Sequence, residues 1–445
     1  LRQTLVGKTV SELTPAARLA AAIEVLEDVG ARRRPVADAL KEWGLKRRFA
    51  GSKDRAAIAN HVYDALRLRD SARWIMGEET PRATLLGSLG RVRGWSVEEI
   101  AALFYGEGHA PAALTEAERG RLAAASLDAA PLHVAADIPE WLAPSFAAAY
   151  GENAGAEGAA LAGRAPVDLR VNLLKTTREK ALAALAHLGA GPTPFSPVGL
   201  RILPNAEGRA PALSAEPAYA KGLVEVQDEG SQLAALLAAA SPGDQLLDLC
   251  AGGGGKTLAL AAMMENRGQI YATDSDGRRL MPIYDRLERA GARNVQVRAP
   301  RGRDGLAAVL ADLEARCDLV MVDAPCTGTG AWRRNPDAKW RVRPGALEQR
   351  IADQDRVLAQ AARCVRPGGM IVYVTCSALI DENEARVAAF LAERQGFEAL
   401  TGEALAKRAG LPDLARFASR HGPGLRLSPA TSGTDGFYVC GVARG

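Results

Sequence analysis

Two kinds of hydrophobic pattern divide this chain, and one gives way to the other near residue 220. In the first part, apolar residues recur at helical spacing, as with Leu19, Ile23 and Leu26. Spacings of three and four residues put such side chains on one face of an α-helix. Ser52 is a candidate cap for a second segment of this type. We therefore predict a wholly helical region over residues 1–130.

The pattern weakens between this helical region and residue 220. Gly, Pro and Ala punctuate residues 104–131, which predicts a linker. Residues 167–177 have the composition of a strand, and residues 178–188 that of a helix. We predict that residues 131–220 contain a linker and a small α+β subdomain, followed by a third domain at 221–445.

From residue 220 onward, short apolar runs alternate with helical segments. This alternation indicates right-handed βαβ crossovers and an α/β fold with a mostly parallel sheet that is buried on both faces. A last strand after a Ser- and Gly-containing turn indicates an antiparallel hairpin at one edge of the sheet. The predicted strands are residues 245–250, 269–274, 294–299, 317–323, 369–377 and 436–444.

The composition excludes several classes of protein. A chain of 445 residues is too long for one core, and 48% hydrophobic with 24% charged residues is typical of soluble globular domains. We find no apolar run of bilayer-spanning length and no secretory leader, so we expect a cytoplasmic protein. The six cysteines form no CxxC pair and have no suitably spaced histidine, which predicts reduced thiols and no metal.

The net charge of +4 is small but unevenly distributed. Lys and Arg exceed Asp and Glu near the N-terminus, in "ARRRP" (31–35) and "LKRRF" (45–49), where solvated helix faces are the simpler interpretation. The run "AWRRNPDAKWRVR" (331–343) instead interleaves basic residues with two tryptophans. Basic and aromatic side chains together suit a phosphate backbone with stackable bases. The candidate RNA-binding residues are Arg333, Arg334, Lys339 and Trp340.

A glycine-rich turn, "LLDLCAGGGGKT" (246–257), joins a predicted strand to a helix. Such a turn lets a cofactor approach the backbone and directs helix N-terminal amides at its polar end. Cys250 stands where a P-loop needs a glycine, and Lys256 stands where a dinucleotide motif needs its third glycine. The remaining choice is S-adenosylmethionine. Asp274 ends the next strand, where a carboxylate can accept hydrogen bonds from both ribose hydroxyls.

Cys326 and Cys376 each follow the end of a predicted strand. Methylation of a pyrimidine at carbon 5 needs a thiolate, because this carbon attacks a sulfonium methyl only after a nucleophile has added to carbon 6. A second polar group can then assist loss of the carbon-5 proton or of the thiolate. Asp323 can hydrogen-bond the exocyclic amine and ring nitrogen of cytosine. Spacing alone does not decide which cysteine is the nucleophile.

With these motifs the chain resembles the Fmu/Sun (RsmB-like) family of RNA cytosine-5 methyltransferases over about residues 135–445. The paired Pro-Cys and Thr-Cys signatures are its most specific part. "SKDRAAIANHVYDALR" (52–67) adds a weaker likeness to the NusB-like RNA-binding domain of RsmB-type members. The motifs that carry the resemblance are "VEVQDEGSQ" (224–232), "LDLCAGGGGKT" (247–257), Asp274, "DAPCTGTGAWRRNPDAKW" (323–340), "YVTCS" (373–377), "ENE" (382–384) and "DGFYV" (435–439).

The resemblance implies a class I (Rossmann-like) methyltransferase domain after an all-α NusB-like domain, with S-adenosylmethionine as cofactor. It implies RNA, above all 16S ribosomal RNA, as substrate, with RNA-binding roles for residues 1–130 and 131–220. It further implies that Cys376 is the nucleophile, that Cys326 assists product release, and that Lys256 and Asp323 are catalytic. We expect a monomer. The expected cofactor-binding residues are Cys250, Ala251, Gly252, Gly253, Gly254, Gly255, Lys256, Thr257, Asp274 and Asp323.

The chain departs from the family pattern in two places. Ala and Pro usually occupy the positions of Gly252 and Gly253, so we expect a more flexible loop here. The strand after the ribose-binding acid usually ends near a second acid that contacts the adenine. In this chain Ala299 and Pro300 follow that strand, and Asp304 comes several residues later.

Other functions stay open at this level. Transfer RNA as the substrate would keep the same chemistry. A non-catalytic RNA-binding assembly factor would not need both cysteines and Asp323. A small-molecule methyltransferase would need neither a basic helical region nor a covalent thiol. Cytosine-5 DNA methyltransferases use the cysteine after proline as nucleophile, which would leave Cys376 without a role.

Overall fold

The structure is a computed structural model, and it describes residues 12–204, 211–300 and 305–445. Within these ranges the chain divides into two units, and each is described by itself. The first unit comprises the described residues up to Pro144 together with Glu152–Gly163 and Asn335–Arg341, and the second comprises Ser145–Gly151, Arg164–Arg334 and Val342–Gly445.

The helical region predicted for residues 1–130 is helical over its described residues, which begin at residue 12, and helices continue beyond the predicted boundary to Ala162. The helices are α1 Pro15–Arg32, α2 Val36–Lys46, α3 Ser52–Arg67, α4 Arg69–Met76, α5 Pro81–Arg93, α6 Val97–Ala101, α7 Glu116–Ala123, α8 Leu132–Ala135, α9 Ala143–Tyr150 and α10 Ala154–Ala162. Thr14 caps α1 by accepting a hydrogen bond from the Ala17 amide at 3.2 Å. Ser52 is the first residue of α3 rather than its cap, because Gly51 holds the cap position.

Residues 104–131, predicted as a linker, belong instead to the first unit and place a few side chains in its core, although most of the stretch is exposed. Phe104 and Leu114 are buried in the same cluster as Leu19 and Ile58, and α7 lies within this interval. The apolar residues of this stretch are too widely spaced to produce a helical period. Their burial therefore depends on contacts with distant helices and not on a local pattern.

The second unit contains a small antiparallel sheet with the strand order β2-β3-β1-β4. Its elements are β1 Val167–Val171, α11 Arg178–Ala184, β2 Gly191–Pro192, β3 Gly199–Ile202, α12 Pro217–Ala220 and β4 Val224–Val226. Leu169, Leu200 and Val224 form a core against Ala181 of α11. The predicted strand is confirmed over its first five residues, and the predicted helix begins at Arg178 as expected.

The larger sheet of this unit has the strand order β10-β12-β9-β8-β5-β6-β7, with β11 paired to β12. Its strands are β5 Gln245–Asp248, β6 Gln269–Ala272, β7 Val295–Val297, β8 Cys317–Asp323, β9 Val365–Thr375, β10 Phe397–Ala399, β11 Leu425–Leu427 and β12 Phe437–Arg444. The helices between them are α13 Glu229–Leu237, α14 Gly255–Met263, α15 Ile283–Ala290, α16 Gly305–Leu310, α17 Pro344–Cys364, α18 Glu384–Glu393 and α19 Gly402–Arg408.

The predicted α/β architecture is confirmed. The neighbours from β7 through β6, β5 and β8 to β9 are parallel, and β12 runs antiparallel to β9, β10 and β11. The final strand is antiparallel as predicted, but it is not at the edge, because β10 pairs with its outer side.

Helices cover both faces of the larger sheet. Along β8, Leu319 and Met321 join one core, whereas Val320 and Val322 join the other. Helices α13 and α14 contribute to the first core, and α17 and α18 contribute to the second. Because both faces are buried, the middle of β8 is apolar on both sides from Leu319 to Val322, which is why its sequence shows no alternation there.

Candidate active site

Parallel pairing of β8 with β9 brings the two cysteine-bearing turns together. Asp323, the last residue of β8, is in register with Val374 of β9, so both turns emerge at the same edge of the sheet. There the sulfur atoms of Cys326 and Cys376 lie 3.4 Å apart, and both side chains are half-buried. The hydrogen bond to Cys376, together with burial, raises the pKa of the Cys326 thiol well above its ordinary value.

Lys256 and Asp323 form an ion pair near this edge. Lys256 Nζ lies 2.7 Å from Asp323 Oδ2 and 5.4 Å from the centre of the Phe437 ring. The pair forms because Lys256 is in the first turn of α14, which follows β5, and β5 is the parallel neighbour of β8. The Lys256 side chain is 7% exposed and that of Asp323 is 36% exposed. The exposed side of the Asp323 carboxylate is therefore available to a ligand, while the buried Lys256 ammonium balances its negative charge.

The glycine-rich turn after β5 requires glycine at two of its four positions. Gly252 and Gly254 have φ of 50° and 81°, the left-handed region that other residues rarely adopt. A Cβ atom on Gly254 would also lie 2.4 Å from Cγ1 of Ile283. The bare backbone of this turn can therefore be approached closely by a ligand, as a cofactor loop requires.

Two arginines hold the backbone of this turn. Arg286 Nη1 donates to the carbonyl oxygen of Gly253, and Arg170 Nη1 donates to that of Gly255, each at 2.6 Å. Arg170 is 4% exposed, and burial lowers its pKa to about 10. The sequence predicted a more flexible loop at this point, and these bonds show how the chain restrains it without the usual proline.

Asp274, the predicted ribose-binding acid, lies two residues beyond the end of β6 and faces the glycine turn. It is 1% exposed, and its carboxylate accepts hydrogen bonds from the amides of Gly252 at 3.1 Å and Asp276 at 3.0 Å. Arg279 pairs with it at 3.2 Å, and this guanidinium is 57% exposed. Asp304, the late acid of the adenine region, lies outside the described residues.

The end of β5 contains a buried acid that the sequence reasoning missed. Asp248 is fully buried, and its Oδ2 accepts a hydrogen bond from Thr257 Oγ1 at 2.7 Å. Its Oδ1 has no hydrogen-bond partner among the described residues. Burial raises the pKa of Asp248 to about 7, and burial likewise raises that of the neighbouring Cys250, which with Ala251 begins the turn. The available signal was an acid between the apolar residues of a predicted strand, two residues before Cys250.

A second missed acid is Glu382 of the "ENE" motif. It is fully buried and accepts hydrogen bonds from Thr327 and Ser377, the residues that directly follow the two cysteines. The motif contributed to the family resemblance, but its spacing carried no information on this contact.

Arg333 and Arg334, predicted to bind RNA, contact two acids of their own unit. Arg333 Nη2 lies 2.9 Å from Asp435, and Arg334 lies 2.6 Å from Asp435 and 2.7 Å from Asp228. Arg333 is 6% exposed, so its charge faces carboxylates and not solvent. Burial and the neighbouring Asp435 raise the pKa of Asp228 to about 6.

Lys339 and Trp340, the other predicted RNA-binding residues, lie in the helical unit. Lys339 Nζ donates to the carbonyl oxygen of Arg67 at 3.0 Å, and Trp340 Nε1 donates to that of Leu66 at 2.6 Å. These carbonyls end α3, where a cation is favoured by the helix dipole. Arg69 stacks 3.6 Å from the centre of the Trp340 ring. Lys339 is 1% exposed, and burial lowers its pKa to about 8.

Among the described residues, no three His, Cys, Asp or Glu side chains are grouped so that they could ligate a metal ion. In the same part of the chain, no helix has both the length and the hydropathy needed to cross a bilayer.

Known proteins resemble this chain in sequence and in structure. Residues 235–443 match the family described as 16S rRNA methyltransferase RsmB/F, and residues 138–206 match a ferredoxin-like domain described for the same proteins. The crystal structure of PH0851 aligns with a TM-score of 0.70 at 24% identity, covering 97% of this chain and 99% of that one. This structural likeness supports the fold.

Curated relatives agree with the family match. The chain is 34% identical over 339 residues to ribosomal RNA small subunit methyltransferase B of Sodalis glossinidius, covering 74% of this chain and 68% of that protein. It is 33% identical over 261 residues to the probable ribosomal RNA small subunit methyltransferase B of Synechocystis sp., covering 58% of this chain and 57% of that protein. The chain therefore belongs to the RsmB/F family of 16S rRNA methyltransferases.

Proposed function

We propose that this chain transfers a methyl group from S-adenosylmethionine to carbon 5 of a cytosine in 16S ribosomal RNA, through a covalent adduct on Cys376. The observation that carries the proposal is the 3.4 Å separation of the Cys326 and Cys376 sulfurs beside the Lys256–Asp323 pair. Family membership supports ribosomal RNA as the substrate. Methylation of cytosine at carbon 5 needs a thiol and a carboxylate beside the same ring, and the cysteine pair and Asp323 supply both. This supports cytosine as the base and carbon 5 as the position.

The residues around the glycine turn fit S-adenosylmethionine. The turn has no side chain at Gly252 or Gly254, Asp274 is a buried acceptor, and Asp248 Oδ1 lacks a partner. Asp274 would hold the ribose hydroxyls once the exposed Arg279 moves aside. When bound, the cofactor supplies an electrophilic methyl group.

The addition step uses Cys376 and Asp323. The Cys376 thiolate forms a bond to carbon 6, and the electron pair of the 5,6 double bond makes carbon 5 nucleophilic. Lys256 engages one oxygen of Asp323, and the exposed part of this carboxylate can accept a hydrogen bond from the exocyclic amine of cytosine. Carbon 5 then takes the methyl group.

The release step uses Cys326. Cys326, having given its proton to water, removes the proton from carbon 5, and the bond from carbon 6 to sulfur breaks so that Cys376 leaves as the thiolate with which the cycle began. The electron pair of that carbon–hydrogen bond re-forms the 5,6 double bond. The raised pKa of Cys326 supports this role, because a thiolate of high pKa is a strong base.

Alanine variants of the two cysteines test the proposal. With 16S rRNA and radiolabelled S-adenosylmethionine, Cys376→Ala is expected to abolish methylation and to form no adduct. Cys326→Ala is expected to attack without releasing, so that a protein–RNA complex survives denaturing electrophoresis. Cys317→Ala is the matched control, since Cys317 begins β8 at the opposite end from the site. Activity in both site variants without trapping would refute the covalent mechanism, and trapping in Cys376→Ala would reverse the two roles.

The substrate is tested separately. Bisulfite sequencing of total RNA from a deletion strain is expected to lose one modified cytosine in 16S rRNA. Loss of a modified cytosine in transfer RNA instead would replace the substrate and leave the chemistry unchanged.

A further inference from the structure

Glu382 is a buried carboxylate that reaches both cysteine-bearing turns. Its Oε1 accepts a hydrogen bond from the Thr327 amide at 2.8 Å, and its Oε2 accepts from the hydroxyls of Thr327 and Ser377. Thr327 follows Cys326, and Ser377 follows Cys376. One side chain therefore joins the two residues next to the two thiols.

A third element completes this contact. Gln354 of α17 donates from Nε2 to Glu382 Oε1 at 3.0 Å and to the carbonyl oxygen of Pro325 at 2.9 Å. Asn383 donates to the carbonyl oxygen of Ser377 at 2.9 Å, so the turn after β9 is also held through its backbone. Both turns are thus hydrogen-bonded to Glu382 and its neighbours, and the distance between the turns does not depend on the strand ends alone.

The donors that contact Glu382 are neutral amides and hydroxyls. Its negative charge is therefore stabilised by hydrogen bonds while remaining a charge in a region of low dielectric. Glu382 is one of the groups that raise the pKa of Cys326, after the hydrogen bond to Cys376 and burial. The Glu382 carboxylate contacts the backbone amide of the residue after Cys326 but only the side-chain hydroxyl of the residue after Cys376, so its charge does not act equally on the two thiols.

We infer that Glu382 is a positioning residue that locks the two cysteine-bearing turns to each other and, through its charge, reserves nucleophilic attack for Cys376. The inference rests on the function proposed above. It assigns to Glu382 both the spacing of the thiols and the difference between them. Neither role follows from the motif in which Glu382 occurs.

Glu382→Gln tests the charge, because glutamine keeps the size and one acceptor oxygen. In a Cys376→Ala background, the rate of iodoacetamide alkylation of Cys326 is measured against pH by peptide mapping. The pH midpoint is expected to fall by about one unit in the glutamine variant, which makes Cys326 about tenfold more reactive below the midpoint. This readout needs no RNA and no cofactor, so it is independent of whether the proposed methylation occurs.

Glu384→Gln is the matched control from the same motif. Glu384 is 3% exposed, and its carboxylate contacts Arg426 and Ser419 rather than a residue next to either cysteine. Its variant is expected to lower the melting temperature without moving the Cys326 midpoint. An unchanged midpoint in Glu382→Gln, with a loss of stability like that of the control, would overturn the inference.

Glu382→Asp tests the spacing, because aspartate keeps the charge but has a shorter reach. Diamide oxidation of adjacent thiols to a disulfide reports their proximity, and we expect it to be about tenfold slower in this variant. We also expect kcat for methylation to fall by a similar factor, with KM for RNA unchanged. Oxidation at the wild-type rate would show that Glu382 does not hold the turns and would overturn this part of the inference.

Discussion

Two groups of charged residues lie in the same unit, and they differ in how completely the chain itself satisfies them. In the first group, the buried Arg333 and the exposed Arg334 are paired with Asp228 and Asp435 at distances of 2.6 to 2.9 Å. In the second group, at the ends of the parallel strands, Asp248 keeps an oxygen without a partner among the described residues.

This difference separates charges that stabilise the fold from charges available to a ligand. Burial of an ion costs free energy. A charged side chain that is already paired within the chain gains little further free energy from binding a ligand. A buried acid such as Asp248, which has an oxygen without a hydrogen-bond partner among the described residues, destabilises the fold until a ligand donates a hydrogen bond to it. The sequence attributed function to the two arginines and missed Asp248, and only the contacts in the structure distinguish the two groups.

The largest expected effect comes from breaking the satisfied group. Asp435→Ala would leave Arg333 and Arg334 with Asp228 as their remaining acid, and we expect the free energy of unfolding to fall by about 3–5 kcal/mol. Chemical denaturation measures it. Glu265→Ala is the control, because its pair with Arg267 is exposed on both sides and should cost less than about 1 kcal/mol. Equal losses in the two variants would mean that the buried group is not specially stabilising.

A smaller effect with a distinctive pH dependence is expected for Asp248→Asn. The pKa of Asp248 is raised from 3.8 to about 7 in the folded state. Between these values the folded state keeps a proton that the unfolded state has lost, so stability falls as pH rises through this window. Asparagine cannot ionise, and we expect the variant to gain about 1–4 kcal/mol over wild type near pH 8 and little near pH 4.

Denaturation curves across this pH range, without cofactor, test the Asp248 prediction. Asp285→Asn, on the exposed side of α15, should leave the pH profile of stability unchanged. If Asp248→Asn and wild type lose stability in parallel as pH rises, both oxygens of Asp248 have hydrogen-bond partners. The two groups of charges would then not differ in how completely the chain satisfies them.

Asp274→Ala is expected to weaken S-adenosylmethionine binding by about 1–3 kcal/mol, the cost of losing charge-assisted hydrogen bonds. Isothermal titration calorimetry measures the affinity. Asp276→Ala is the control two residues away, since its carboxylate contacts the exposed Arg278. An unchanged affinity in Asp274→Ala would remove this acid from the cofactor site.

The smallest expected effect concerns RNA. Arg48 is exposed in the basic segment before α3, and Arg48→Ala should lower the slope of log affinity against log salt by about one. Replacing Arg333 and Arg334 together should lower stability and leave this slope unchanged, because two acids already neutralise them. A decrease of about two in that double variant would restore the prediction that both arginines bind phosphates.

Most of the fold and the chemistry of the strand ends were predictable from local sequence. Six of the eight strands of the larger sheet, the glycine turn and Asp274 each depend on a few neighbouring residues, whereas the short strands β10 and β11 were not predicted. The core position of Phe104 and Leu114 and the placement of β12 inside the sheet were not predictable. They depend on which distant helices and strands supply the remaining contacts.

The sequence by itself determined the main strands, the helical region, the glycine turn and the two cysteine-bearing turns, because apolar periodicity and turn composition act over about 18 residues or fewer. Only the tertiary structure decided which of the charged residues are already bonded. Arg334 is 106 residues from Asp228 and 101 from Asp435, and Glu382 is 55 residues from Thr327. A buried charge is stabilised or left available by such distant partners, and no local pattern encodes their approach.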